Sequence, residues 1–163
     1  MLFREAEGVV PGLSSYSMRA LLVHVCLPIA CGAAIYVGWR SPHLMVQGWL
    51  RELGLGGAAA TVRAHARCVR LPGFVKFSMP DALWCYALVA HFGRLWKGTR
   101  GGLAWAAAAV IAALSSELGQ LVGVVPGTFD PADLASVACA CALALLFLFP
   151  PWRIRKWTVP AAS

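Results

Sequence analysis

Four stretches of this chain are long and apolar enough to cross a bilayer, and that feature constrains the fold more than any other. Residues 20–39 contain no Asp, Glu, Lys or Arg. At about 1.5 Å per residue a helix of that length crosses a hydrocarbon core of about 30 Å. Residues 134–152 are likewise uncharged, residues 79–96 are bracketed by Asp81 and Arg94, and residues 103–125 are interrupted only by Glu117. Backbone N–H and C=O groups in lipid must be paired within the segment, so each stretch is expected to be helical. Pro28 is expected to disturb the first one locally.

Composition agrees. The chain is 60% apolar and 13% charged over 163 residues, with a mean hydropathy of +0.70. Soluble domains carry about 25% charged residues, so an ordinary water-soluble fold, a disordered chain and a separate soluble catalytic domain are all excluded. The expected fold is all-α: one integral membrane domain over residues 1–163, built as a four-helix bundle, with one or two interfacial helices in the long loop 41–77. Glu5 and Glu7, together with the length of the first apolar run, argue against a cleaved signal peptide.

Basic residues set the expected orientation. With the N-terminus inside, short cytoplasmic segments hold Arg4, Arg19, Arg94, Lys97, Arg100, Arg153, Arg155 and Lys156. Arg40, Arg51, Arg63, Arg67, Arg70 and Lys76 fall in the long outer loop, where the positive-inside rule is weaker. Trp96, Trp105, Trp152 and Trp157 would then mark the inner interface and Trp39, Trp49 and Trp84 the outer one. The net charge of +7 reads as this inner collar, not as a nucleic-acid surface.

Within the loop, Met45, Trp49 and Leu53 recur at helical spacing, and Gly54, Gly56 and Gly57 follow as a break. Further on, Arg63, Arg67 and Arg70 are expected on one helical face, opposite Val62, Ala66 and Val69. Such a face is either a solvated surface among headgroups or a stripe of forked donors for a lipid phosphate.

The acidic residues converge on one membrane level. Ser78-Met-Pro-Asp81 reads as a helix start, with Ser78 as cap and Pro80 in the first turn. Asp130-Pro-Ala-Asp133 has the same form, with Asp130 as N-cap and Asp133 in the first turn. Capping accounts for both aspartate motifs without any activity. Glu117 differs, because a carboxylate deep in a span costs on the order of 2.5–3.5 kcal/mol and must face the bundle or a wet cavity. Gln120 lies one turn away on the same face. Glu117 is read either as a functional acid or as a hydrogen-bonded link to Tyr86 or Ser136. Small-residue stripes at Ser136, Ala140, Ala144 and at Ser115, Gly119, Gly123 predict close packing of the last two spans.

Glu117-Leu-Gly-Gln120, then Pro126-Gly-Thr-Phe-Asp130, then Pro-Ala-Asp133 opening a final hydrophobic helix, resembles the VanZ-like family of small four-span bacterial membrane proteins. The likeness covers about thirty residues, and Val137 stands where the family usually carries Asn. The resemblance implies an inner-membrane location and handling of an envelope lipid or its headgroup. The candidate catalytic set is Glu117, Gln120, Asp133, Asp130 and Asp81. The candidate substrate contacts are Arg63, Arg67, Arg70, Trp84 and Ser78. The partners expected are membrane lipids, including a phosphate-bearing lipid, and not nucleic acid. A reading from a different class is a non-enzymatic scaffold or accessory subunit of a larger membrane complex, and whether the chain is an enzyme stays open.

No cofactor or metal is expected, since the six Cys form no C-x-x-C spacing. His24 and His91 fall at similar depth on the first two spans. That is the arrangement a bis-His haem would need, although isolated interfacial histidines are far commoner.

Overall fold

The computed structural model describes residues 17–97, 99, 101–125 and 128–149. The expected terminal charges, Trp152 and Trp157, Arg100 and the Pro126-Gly127 pair lie outside the described residues. Every element is helical, and no strand occurs among the described residues.

Helix α1 runs Met18–Trp39. It contains a π-helical stretch at Leu22–Cys26, which ends two residues before Pro28. Proline supplies no N–H to the carbonyl four residues back, and the wider turn is where the helix absorbs that loss. Helix α2 (Met45–Glu52) follows as the loop periodicity predicts, and Gly54, at φ 75°, turns the chain. Next come α3 (Gly56–Ala66), the short α4 (Gly73–Phe77), α5 (Met79–Leu95), α6 (Gly102–Leu121) and α7 (Pro131–Leu148).

Three of these helices, α1, α6 and α7, are long and apolar enough to cross a membrane. The fourth expected span, α5, is 17 residues long and carries Asp81 and Arg94 near its ends. It lies among the others and packs against all three. Its buried positions are mostly small (Pro80, Ala82, Ala87, Ala90 and Gly93 beside Val89), so neighbouring backbones approach closely. Gly93 leaves the space that the Leu148 side chain fills. Val89, Ala90, Ala109, Ala113, Val137, Cys141, Ala144 and Leu148 form one core at the α5–α6–α7 contact.

The packing face of α6 differs from the expected stripe. Its buried residues are Gly102, Ala106, Ala109, Ala113 and Glu117, spaced at helical period. Ser115 is exposed and donates to its own helix at Ala112 O. Gly119 receives Val125 from the following turn, and Gly123 sits in that turn at φ 73°. The helix therefore stops at Leu121 and not at Val125. The N–H groups of Val124 and Val125 fold back onto Gly119 O at 2.8 and 3.1 Å. Ala140 and Ala144 of α7 are both buried as expected, and Ala144 belongs to the core that includes α5.

The two aspartate motifs also diverge. Asp130 is a true N-cap: it takes an extended backbone, and its Oδ1 accepts from Ala132 N at 2.8 Å. Replacing it with alanine is expected to lower stability by about 1 kcal/mol, while asparagine preserves it. Denaturation of the detergent-solubilised chain checks both. Ser78, in contrast, makes no side-chain cap. Its backbone is helical and carries hydrogen bonds from α4 into α5, with Ser78 N to Phe74 O at 2.9 Å and Ala82 N to Ser78 O at 3.1 Å. The helix enters from the preceding turn instead of starting afresh, so Asp81 is released from any capping duty.

Candidate functional site

The ends of five helices and one loop line a cavity of about 550 Å³. Arg40 enters it just past the end of α1, Phe77 from α4 and Asp81 from the first turn of α5. The last turns of α6 contribute Glu117 and Gln120, and Thr128, Phe129, Asp130, Pro131 and Asp133 come from the loop and first turn of α7. A smaller chamber of about 210 Å³ shares Asp81, Glu117 and Gln120 and continues between Trp84, Cys85, Ser116 and Val137.

All five residues of the expected catalytic set thus line one space. Glu117 reaches it because it is the last member of α6's buried stripe, a carboxylate where the period calls for an apolar side chain. It is 6% exposed, and its Oε2 is buried without a hydrogen-bond partner among the described residues. Asp133 Oδ1 is in the same condition. A buried acceptor left unmade costs about 1–3 kcal/mol, and more when charged. The expected links from Glu117 to Tyr86 and Ser136 are not formed. Tyr86 Oη pairs with His24 Nδ1 at 2.7 Å, and Ser136 Oγ donates to Ala132 O at 2.6 Å. Glu117 interacts electrostatically with Asp133, Asp81 and Asp130, and Asp81 interacts with Arg40 and Asp133.

Arg40 is the residue the sequence reading missed, since it appeared there only among the outer-loop charges. Its guanidinium lies 5.4 Å from the Tyr36 ring centroid and 5.3 Å from that of Phe77, a cation–π seat that fixes its position. Its Nε is buried and unpartnered among the described residues. The available signal was its place directly after Trp39, at the same expected level as Asp81 and Asp133.

The expected substrate contacts do not gather here. The Arg63 side chain turns to the end of α1, where Nη2 donates to Val37 O at 3.2 Å. α3 ends at Ala66, so Arg67 and Arg70 continue no helical stripe, and both are exposed away from the cavity. Ala66 is the buried residue of that segment, and it closes on Gly38. Trp84 is absent from the larger cavity and lines the smaller chamber, stacked on Tyr36 at 5.5 Å. Ser78 is buried and lines neither space.

His24 and His91 have different surroundings. His24 holds Tyr86 and packs at a tilt against Phe147, ring centroids 4.5 Å apart. His91 faces a separate cavity of about 300 Å³ with Val25, Ile29, Trp84, Ala87 and Leu88. Among the described residues no group of three or more His, Cys, Asp or Glu is placed to hold a metal ion.

Chemically, the site is an array of acceptors facing one fixed guanidinium. It suits binding of hydrogen-bond donors and proton exchange at a carboxylate. Thr128 is the single hydroxyl among the described residues that line the larger cavity. Compared with protein-family models, curated proteins and solved structures, the chain matches none.

Proposed function

We propose that this chain is a VanZ-like multi-pass protein of the bacterial inner membrane whose polar cavity opens outward and binds or processes the headgroup of an envelope lipid. In this reading α5 completes a four-span bundle with α1, α6 and α7, and both termini lie inside. Arg94 and Lys97 then sit at the inner end, where Lys97 Nζ donates to Leu148 O at 2.6 Å and complements the end of α7. Arg40, Asp81, Glu117 and Asp133 sit at the outer end. Helices α2 and α3 lie in the outer interface, with Trp49 and Leu53 exposed to the headgroup region.

The observation that carries the proposal is the pair of buried, unpartnered carboxylate oxygens on Glu117 and Asp133 inside a cavity large enough for a headgroup. A second feature supports a lipid as the ligand. An apolar groove of about 480 Å³ runs between α5 and α7, lined by Leu83, Ala135, Cys139 and Leu143 among others. It starts at the same two helix ends that supply Asp81 and Asp133, so a hydrocarbon chain laid in it would bring its headgroup to the carboxylates. Glu117 serves as the central proton acceptor, Gln120 orients it, and Arg40 takes the phosphate-contacting role expected of Arg63, Arg67 and Arg70.

Native mass spectrometry of the purified full chain tests this. A retained phospholipid or polyprenyl species is expected, reduced at least about tenfold by Arg40→Ala or Glu117→Ala, a difference of about 1.4 kcal/mol or more in binding. Arg67→Ala and Arg70→Ala are expected to leave it unchanged. Equal retention by all four variants would transfer support to a scaffold role.

A further inference from the structure

Resting on the headgroup reading above, we infer that the cavity selects a zwitterionic headgroup, its primary ammonium held by Glu117, Asp133 and Asp81 and its phosphate by Arg40. The cavity wall sets this polarity. Among the described residues four carboxylates line it against one guanidinium, so a purely anionic headgroup gains one favourable contact and meets several repulsive ones. A neutral apolar occupant would leave Glu117 Oε2 and Asp133 Oδ1 buried and unmade. An ammonium group brings three N–H donors and a positive charge, which matches two vacant acceptors and a third carboxylate.

The opposite pole is equally specific. Arg40 is seated on the faces of Tyr36 and Phe77, and its Nε has no partner among the described residues. A planar guanidinium with a free edge is suited to a phosphate. The same seating explains why a primary amine is preferred to a quaternary one. The Tyr36 and Phe77 faces are already taken by Arg40, and a trimethylated nitrogen has no N–H for the carboxylates.

Titration of the full-length protein by native mass spectrometry separates the outcomes. The probes are phosphatidylethanolamine, phosphatidylcholine and phosphatidylglycerol with identical acyl chains. Phosphatidylethanolamine is expected to bind at least about tenfold more tightly than either of the others. The double variant Glu117→Gln, Asp133→Asn is expected to erase that preference while unfolding at a temperature no lower than the parent. Arg40→Ala is expected to weaken all three lipids. In competition, soluble O-phosphoethanolamine should displace phosphatidylethanolamine where inorganic phosphate does not. The concentration it needs shows whether the amine–phosphate pair is read from a lipid or from a soluble compound.

Equal binding of the three lipids, a preference that survives the double variant, or displacement by phosphate alone would overturn the inference. If the lipids bind equally but all weaken in Arg40→Ala, the amine selectivity fails and the headgroup reading stands. If no lipid responds to any cavity variant, both fail.

Discussion

Replacing Glu117 with leucine is expected to stabilise the fold by about 1–3 kcal/mol while emptying the cavity of ligand. The position belongs to an apolar stripe. Ala106, Ala109 and Ala113 precede it on the same buried face of α6, and Glu117 is the one member whose side chain has an oxygen with no partner. Leucine has similar length, removes an unmade acceptor from the interior and relieves its interaction with Asp133, Asp81 and Asp130. The melting temperature in detergent should therefore rise, and lipid occupancy should fall at least about tenfold. Glu117→Gln should lie between the two, since it keeps the shape and hydrogen-bonding capacity but loses the charge. A residue retained as interhelical glue behaves in the opposite way, because its removal loses a hydrogen bond and leaves a partner unmade. A melting temperature lowered by leucine, with ligand occupancy unchanged, would return Glu117 to that structural role. Natural proteins commonly hold such strained groups where function requires them, at a cost in stability.

What could be read in advance followed locality. Hydropathy and charge placed three helices able to cross a membrane, because the cost of an unpaired backbone group in lipid leaves a long apolar run few alternatives. The Asp130-Pro-Ala-Asp133 cap was legible because every atom of it lies within four residues. Glu117 and Gln120 fell on one face because three residues is nearly one helical turn. The packing phase of α6 was not legible. Its run from Ala104 to Leu114 is mostly alanine, so several faces are equally small, and the Ser115–Gly119–Gly123 spacing offered a false register. Glu117 itself was the better marker, since only one rotation of α6 buries it.

Arg40 and Arg63 show where pattern stops being informative. Both are arginines at the same end of the molecule, yet one enters the cavity and the other binds Val37 O. The difference lies in how the chain leaves α1 and how α3 folds back on Gly38. Neither is encoded in the spacing of basic residues. The pairing of His24 with Tyr86, sixty-two positions apart, was hidden for the same reason.

The seam between α1 and α5 tests whether Arg40 acts as proposed without touching Arg40. Gly32 is buried on α1, and a Cβ there would lie 2.6 Å from Trp84 Nε1 and 3.2 Å from Pro80 O. The indole cannot yield easily, since it stacks on Tyr36 and its Nε1 donates to Ile29 O at 3.4 Å. The Pro80 carbonyl is backbone and cannot yield at all without moving α5. Gly32→Leu is therefore expected to cost about 3 kcal/mol through overpacking, read as a lower melting temperature and a smaller folded yield. Because α1 carries Arg40 at its end, separating the two helices also moves the guanidinium away from Asp81. Lipid retention by the surviving folded fraction should fall with Gly32→Leu although every cavity residue is intact. Gly57→Ala is the control, since it lies within α3 and nothing lies within 4 Å of its Cβ position, so it should lower neither quantity. Lost stability with full lipid retention would mean that the ligand is held without Arg40, and the phosphate contact would have to be sought elsewhere on the cavity wall.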